Sequence, residues 1–169
     1  GNRTRKKYDD LYRETRVMYP ERNYEEFEYD NNNNQTAITD GRGKRTEMTY
    51  NTLNMPLRTT DPDTNYSEIF YDRTGRISKM ADYKNRIYTY TYDEMDRILT
   101  ETDPMNHVTS YSYDFAGNII KSTDPNKTEA VYEYTDNYLV DSITYTNSTT
   151  GQIQSEEYTY DETGNCIRA

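Results

Sequence analysis

The sequence contains few of the residues from which a hydrophobic core is usually built. Leu, Ile, Val and Phe together account for 22 of its 169 residues, and there is no tryptophan. The net charge is −10 and the mean hydropathy is −1.24, a combination that is typical of intrinsically disordered chains. No apolar run approaches the roughly 18 residues that a membrane span needs. Composition alone therefore predicts disorder and gives no reason to expect membrane insertion.

Cysteine and histidine each occur once, as Cys166 and His107. A single cysteine excludes an internal disulfide, and a lone histidine without a nearby cysteine gives little support for a zinc or catalytic site. No cluster of basic residues stands out, so nucleic acid is not an expected partner. We therefore predict no catalytic residue, no metal site and no cofactor. We interpret His107 as a solvated turn residue and Cys166 as a small filler, with a reactive thiol as the alternative.

Tyrosine is the exception, because the chain has 20 of them and many are evenly spaced. A Tyr-Asp pair or a near-variant recurs every 21 residues, except that the last interval is 26 residues. Such a period is typical of arrays in which each repeat contacts mainly its neighbours, and disorder would not require it. We interpret residues 1–169 as a single array of about seven and a half repeats. The repeats start at Tyr8, Tyr29, Tyr50, Tyr71, Tyr92, Tyr113, Tyr134 and Tyr160.

Two turn signals divide each repeat into two extended segments. The first is Asp-x-x-Gly, which favours a type I turn followed by a left-handed glycine, a common hairpin connection. The second lies ten residues later and is best seen as Asp-Pro, in which proline presets φ and the Asp side chain caps the turn. The predicted turn residues are Asp72, Gly75, Asp114 and Gly117 for the first signal, and Asp103, Pro104, Asp124 and Pro125 for the second.

The segments between the turns alternate large rings with small or charged residues, as in residues 89–92. A period of two places the rings on one face of a strand. Tyrosine can bury its ring while its hydroxyl remains hydrogen-bonded, so we expect rows of tyrosines to stabilise the sheet, by about 2 kcal/mol per well-buried ring. The predicted row residues are Tyr71, Tyr90, Tyr92, Tyr111, Tyr113, Tyr132 and Tyr134.

Each repeat is therefore predicted to be one hairpin. The predicted fold class is all-β, with consecutive antiparallel β-hairpins, one per 21-residue repeat, forming a long twisted sheet. The segment 1–4 falls in register with a second turn, and the segment 164–169 stops just after a first turn, with no capping sequence at either end. We expect an array truncated at both ends, whose edge strands are prone to edge-to-edge self-association.

The segment Tyr71-Asp72-Arg73-Thr74-Gly75-Arg76-Ile77, with Thr102-Asp103-Pro104 and Thr123-Asp124-Pro125, resembles the YD repeats of the Rhs (rearrangement hotspot) family. The resemblance covers the whole chain and is strongest over residues 71–135. The family includes bacterial polymorphic toxins, shell components of insecticidal toxin complexes and the teneurin adhesion proteins. The resemblance implies a sheet that spirals into a hollow shell, of which this chain would be an arc.

The resemblance also implies a function. The chain would be a structural scaffold segment of a secreted or cell-surface protein, with no enzymatic activity of its own. Its partners would be the flanking repeats and an enclosed C-terminal toxin or other guest polypeptide of the same parent protein. The family's self-cleaving Asp-containing segment has no match in this chain, which also contains no toxin domain. The alternative is a carbohydrate- or receptor-binding adhesion module that uses exposed tyrosines or the longer loop near Thr149.

Two further sequence patterns are candidates for a binding or modification site, namely the recurring aspartates and the Asn-x-Ser/Thr triplets. The aspartates form two columns along the repeats, but calcium requires six to eight converging oxygens, whereas these acids come singly at turn starts. We therefore interpret them as turn caps. Several Asn-x-Ser/Thr triplets occur, among them those at Asn34, Asn65, Asn126 and Asn147, and they would carry glycans only in a eukaryotic secretory route.

Overall fold

The structure, a computed structural model, describes residues 3–20 and 23–168. Gly1 and Asn2 of the predicted N-terminal turn lie outside the described residues, as does Ala169 at the other end. The described part of the chain consists of β-strands and turns, and it contains no helix that could cross a membrane. The chain divides into two compact units, residues 1–87 and 88–169.

In the first unit, each strand pairs antiparallel with the next one along the chain. Turn residues separate the strands at every step, so each connection is a short hairpin. The strands are β1 (Arg5–Tyr8), β2 (Glu14–Met18), β3 (Tyr24–Tyr29), β4 (Gln35–Asp40), β5 (Arg45–Tyr50), β6 (Pro56–Thr60), β7 (Tyr66–Tyr71) and β8 (Ile77–Ala81).

The second unit repeats this arrangement, again with antiparallel pairing between successive strands from β9 to β15. A separate two-stranded hairpin, β16–β17, follows. The predicted fold class, all-β with consecutive antiparallel hairpins in an open sheet, is confirmed. The strands are β9 (Ile87–Tyr92, whose first residue belongs to the first unit), β10 (Ile98–Thr102), β11 (Val108–Tyr113), β12 (Ile119–Thr123), β13 (Thr128–Tyr134), β14 (Val140–Asn147), β15 (Ile153–Glu157), β16 (Thr159–Tyr160) and β17 (Cys166–Arg168).

The two turn signals differ in sequence but form the same turn. In the first, the Asp72 N–H donates to the carbonyl of Arg76 (2.8 Å), and the Gly75 N–H donates back to the carbonyl of Asp72 (3.2 Å). In the second, Asp103 and Asn106 make the equivalent bonds, at 2.9 and 3.0 Å. The fourth turn residue has a positive φ in both cases, 90° at Gly75 and 63° at Asn106. Each is a type I turn followed by a left-handed residue.

Glycine is not required at that left-handed position. It is present at Gly43, Gly75, Gly117 and Gly164, but elsewhere Asn, Asp, Thr, Lys or Tyr adopts the same conformation. An L-residue with a side chain is disfavoured there by roughly 1–2 kcal/mol, with Asn and Asp the most tolerant. The hydrogen bonds of the turn therefore fix the backbone against this preference. The non-glycine residues concerned are Tyr12, Asn33, Asn54, Thr64, Asn85, Asp96, Asn106, Lys127 and Tyr138.

The hairpins closed by the first turn contain a β-bulge directly beside the repeat tyrosine. Tyr113 pairs with Ile119, but the preceding Ser112 pairs with Lys121, so that Ile120 is an extra residue on β12. The same shift occurs beside Tyr29, Tyr50, Tyr71, Tyr92 and Tyr134. By contrast, hairpins closed by the second turn keep a straight register, as between β12 and β13. A bulge increases local twist, so each repeat has one regular and one twisted hairpin.

The core is thin. Among the described residues only Val17, Ala37, Ala81 and Ala130 are buried hydrophobic residues. The repeat tyrosines are mostly half-buried, because a single-layered sheet covers a ring from the sides but not from above. The expectation of well-buried rings, each worth about 2 kcal/mol, was therefore too high.

Candidate functional site

The strongest candidate for a functional feature is a hydrogen bond that recurs from repeat to repeat. The hydroxyl of the repeat tyrosine donates to a backbone carbonyl 15 residues earlier, as from Tyr113 to Ile98 (2.7 Å). That carbonyl belongs to the residue paired with the previous repeat's tyrosine, next to the bulge. The bond therefore ties the bulge of one repeat to the next repeat. The other bonds of this set are Tyr29 to Glu14, Tyr50 to Gln35, Tyr71 to Pro56 and Tyr134 to Ile119, at 2.7–2.9 Å.

Burial acts on these hydroxyls as well. It raises the pKa of Tyr71, Tyr113 and Tyr134 above the ordinary value of tyrosine, since a phenolate would lose hydration in these sites. The hydroxyls therefore remain protonated donors well into the alkaline range.

A second link between repeats comes from arginine at the position after the turn. Arg13 Nε lies 2.7 Å from Asp9 Oδ2, and its Nη1 donates to the backbone carbonyl of Asp30 in the next repeat (2.8 Å). The guanidinium also lies over the ring of Tyr29, 4.9 Å from the centroid. One side chain thus connects the first turn of its own repeat with the first turn and the repeat tyrosine of the next repeat. Arg97 makes the equivalent contacts with Asp93, Asp114 and Tyr113.

The turn aspartates have their oxygens occupied by the turn itself. Asp82 Oδ1 accepts the N–H groups of Lys84 (2.9 Å) and Arg86 (3.0 Å), and Oδ2 accepts Arg86 Nε (2.6 Å). These bonds lower the pKa of Asp82 to about 2, and the bond from the Arg86 side chain has the largest effect. The described residues contain no group of three or more acids, histidines or cysteines arranged to hold a metal. At the other turns the aspartate oxygens likewise accept backbone N–H groups, and side-chain donors such as Arg97 at Asp93 and Asn118 at Asp114.

The predicted tyrosine rows are stepped. Tyr90, Tyr111 and Tyr132 share the face of Tyr92, Tyr113 and Tyr134, because they lie two residues before them on their strands. Tyr111 pairs with Ser122, however, and Ser122 pairs with Ala130, two residues short of Tyr132. The bulges displace the register, so equivalent rings lie on a diagonal and do not stack in a straight ladder as we expected.

The opposite face of the first unit is covered by ion pairs. Arg45 contacts Glu28 (2.5 Å) and Glu47 (2.9 Å), and further pairs join Arg16 to Glu26 and Arg58 to Glu68. In the second unit this face is richer in hydroxyl groups, such as Thr91 Oγ1 and Thr100 Oγ1, which lie 2.6 Å apart. Polar groups on this face are thus largely paired with one another.

The remaining sequence candidates lie apart from each other. His107 is a turn residue whose Nδ1 is 3.0 Å from Asp103 Oδ2, and Cys166 is an exposed thiol at the start of β17. The five extra residues lengthen β14 and β15, and their loop is capped by Asn147 Oδ1, which accepts the N–H groups of Thr149 and Thr150. The structure does not bring these features together into one site.

Sequence analysis missed the role of the residue four positions after each turn aspartate. Arg13, Asn34, Arg76, Arg97 and Asn118 all occupy this position and all bond to the aspartate. The recurrence of Arg or Asn at this position in most of the repeats was the signal that could have identified them. The prediction that no basic cluster stands out also overlooked residues 3–7, four of which are Arg or Lys.

Comparison with known proteins agrees with this geometry. The chain matches the RHS Repeat family model over residues 29–66, 71–104 and 96–129, more than half of its length. No curated protein sequence matches it.

The chain also resembles solved structures of toxin complexes. A crystal structure of TcdB2-TccC3-Cdc42 matches with a TM-score of 0.76 and 13% identity, over 98% of this chain and 10% of that chain. The Photorhabdus luminescens Tc holotoxin pore with a mutated TccC3 matches at 0.75 and 13%, with the same coverage. TcdB2-TccC3-TEV matches at 0.57 and 14%, over 98% and 11%. At this identity the likeness shows the fold, and this chain spans about a tenth of the chains it matches.

Proposed function

The chain belongs to the RHS repeat family, and on that premise we propose that it is a structural segment of a shell wall that encloses a C-terminal toxin or another guest polypeptide of its parent protein. The observation that carries the proposal is the tyrosine bond between consecutive repeats, exemplified by Tyr113 and Ile98. It links consecutive hairpins within each unit, as a wall built from repeated elements requires. The flanking repeats and the guest are then the partners of this segment.

The chemistry of the two faces supports containment. Tyrosine hydroxyls donate within the sheet, and charged groups on the opposite face are paired, so neither face offers strong unpaired groups along most of its length. Large aliphatic side chains are few. Most of the highly exposed apolar side chains, such as Leu53, Met95 and Met105, lie at turns, so a guest chain beside the strands meets little contiguous apolar surface on which to fold or aggregate.

The similar solved structures are consistent with this role. They are TcdB2-TccC3 complexes and a Tc holotoxin pore, and about a tenth of each of their chains aligns with this segment. We propose accordingly that the parent protein is secreted or displayed at a cell surface. We propose no catalysis by this segment, and we take residues 1–169 as one array within a longer one.

The parent gene provides a direct test. We expect its reading frame to continue the 21-residue period for many more units and to end in an unrelated C-terminal domain. In the purified parent protein, that domain should resist protease. Removal of the 21-residue segment 92–112 should expose it, whereas Tyr138→Phe, which alters an exposed side chain, should not. A guest domain that is cleaved equally in all three proteins, or the absence of such a domain, would overturn the proposal.

A second candidate function is adhesion to a carbohydrate or a receptor. Rings at the turn tips favour it: Phe115 is fully exposed, and Tyr12 and Tyr138 are 89% and 65% exposed. Exposed aromatic rings are typical of binding surfaces. Saturable capture by a glycan array, lost in a Phe115→Ser, Tyr138→Ser double variant, would support it. An array without hits would exclude glycans.

A further inference from the structure

The face of β1 and β2 that carries Arg16 brings together cations from both sides of a turn. Side chains alternate along a strand, so Arg5 and Lys7 share one face of β1, and Arg3, which precedes the strand, lines the same concavity as Arg5 and Arg16. Register places Lys7 directly opposite Arg16, and Arg5 opposite Met18, which shares the face of Arg16. Three cations therefore occupy one face of two neighbouring strands, with Arg3 beside them, in a chain whose net charge is −10.

These cations are poorly compensated. In the described part of the chain, Glu26 is the one acid paired with them, at 3.4 Å from Arg16 Nη1. Lys6 has its own partner, Glu14, but it points to the other face because it alternates with Lys7. Like charges directly opposite one another in a sheet are destabilising, so the Lys7–Arg16 pair costs stability unless an anion lies between them.

Beside them lies a concavity of about 820 Å³ whose lining includes Arg3, Arg5, Arg16, Tyr19 and Tyr24. Arg16 lies over the Tyr24 ring, 4.2 Å from its centroid, and this stack holds the guanidinium at the rim. Arg58 is stacked on Tyr66 in the same way, 3.5 Å from the centroid, and like Arg16 it has a buried Nε without a partner. The stack alone is thus a feature of the repeat, and what distinguishes the Arg16 site is the surrounding positive charge.

We propose that this surface, formed by Arg3, Arg5, Lys7 and Arg16, binds a saccharide that carries sulfate or carboxylate groups. Guanidinium groups bind such oxyanions in bidentate geometry. Alternate residues on a strand are about 6.8 Å apart, so Arg5 and Lys7 present two regularly spaced cations to a ligand with repeating charges, and Arg3 adds a third beside the same concavity.

A saccharide fits better than single-stranded nucleic acid. Binding of nucleic acid strands relies on free aromatic faces for base stacking. One face of Tyr24 is occupied by Arg16, and the Tyr19 hydroxyl donates to Glu25 at 2.8 Å, which places a negative charge beside that ring. The cations can still bind sulfate and carboxylate groups, because that recognition depends on charge alone and needs no free ring face. The site does not depend on the shell role, since it requires only the surface of these two strands.

The test is titration of the whole chain at low ionic strength with a heparin-derived hexasaccharide, an uncharged hexasaccharide and a mixed-sequence single-stranded DNA 12-mer. We expect saturable binding of the sulfated saccharide only. The double variant Arg5→Gln, Arg16→Gln should bind this saccharide with an affinity at least tenfold lower. Arg58→Gln is the matched control, because it removes an arginine with the same tyrosine stack outside the cluster, and its affinity should be unchanged. Equal loss in Arg58→Gln, equal binding of the DNA, or no binding at all would overturn the proposal.

A second measurement separates binding from folding. Without ligand, Lys7→Gln should raise the melting temperature, because it removes the like-charge pair, yet it should weaken binding of the sulfated saccharide. The saccharide should raise the melting temperature of the unmodified chain and leave that of the Arg5→Gln, Arg16→Gln variant unchanged. A Lys7→Gln chain that is less stable and binds equally well would contradict the site. Neither result bears on protease protection of a guest, so the two proposals fail separately.

Discussion

The hydroxyl of Tyr160 donates to the carbonyl of Val140 at 2.7 Å, across 20 residues where the other repeat tyrosines span 15. The five additional residues lie between the two, in the hairpin of β14 and β15. That hairpin is lengthened at its far end, where the loop 147–152 closes it. The insertion therefore leaves the bond between repeats unchanged. The spacing of the repeats is fixed at this bond, whereas the loop at the other end of the hairpin accepts additional residues.

Loss of a single tyrosine hydroxyl should have a measurable effect on stability. Tyr113→Phe removes the donor to Ile98 and leaves a partly buried carbonyl unsatisfied, so we expect a loss of about 1 kcal/mol in the free energy of unfolding. Urea denaturation followed by circular dichroism measures it. Tyr138→Phe is the control, because its ring is exposed at a turn tip, and it should be neutral. Equal effects in both variants would show that the hydroxyl bond contributes nothing.

Glycine at a left-handed position should stabilise the chain. Tyr138 has φ of 62°, so Tyr138→Gly relieves backbone strain, while the added flexibility of the unfolded chain offsets part of the gain. We expect a net stabilisation of about 0.5–1 kcal/mol, measured by thermal or urea unfolding. Asn137→Gly, one residue earlier and outside the left-handed region, should be neutral or destabilising. The reverse order of the two variants would contradict this account of the turn.

The arginine that follows the turn should contribute more than an ordinary surface charge. Arg97→Ala removes the contacts to Asp93, the Asp114 carbonyl and the Tyr113 ring together, and we expect a loss of about 1–2 kcal/mol. Arg73→Ala, at an exposed turn position, should change stability by less than about 0.5 kcal/mol. A double-mutant cycle of Arg97 with Tyr113 would give the coupling between repeats, and a coupling of zero would contradict the proposed link.

Acid should unfold the array over a narrow range set by the turn aspartates. The folded chain lowers the pKa of several of them, such as Asp93 and Asp103, and that of Asp82 to about 2, so their contribution is present above the unfolded value of about 3.9 and is lost as pH falls through the folded pKa. We expect constant stability from pH 5 to 7 and a decline between about pH 4 and 2.

Asp82→Asn tests the origin of that decline. Asn51 occupies the same turn position and accepts the N–H groups of Leu53 and Met55, so asparagine preserves the backbone bonds. The variant should lose the Arg86 ion pair at neutral pH and show a shallower acid limb in circular dichroism. An unchanged acid limb would mean that other carboxylates dominate.

Much of the architecture follows from the sequence because a single period carries it. Tyr-Asp at 21-residue spacing, with Asp-x-x-Gly and Asp-Pro as turn signals, was enough to predict the hairpins and the face of Tyr90, Tyr111 and Tyr132. The bulge could not be predicted, since the extra residue, such as Ile120, has no distinguishing residue type. The left-handed Tyr12 and Tyr138 were missed for the opposite reason, as their residue types argue against the conformation that the repeat imposes.

The basic face shows a different limit. Arg3, Arg5 and Lys7 belong to a basic segment, residues 3–7, which the prediction of no basic cluster overlooked. Only the register of β1 and β2 adds Arg16 to this segment. A pattern of charges across strands can be predicted only when the pairing is known to the residue, and the bulge beside Tyr8 shifts that pairing.

The tyrosine bonds all point in one direction, from each repeat to the repeat before it. A chain emerging from a ribosome would thus meet each of these carbonyls after it had already been made, so the tyrosine bonds can form as each repeat is synthesised. The arginine bonds run the other way, as from Arg13 to the Asp30 carbonyl, and form only when the next repeat follows. Each repeat is therefore held first by the repeat before it and then by the repeat after it.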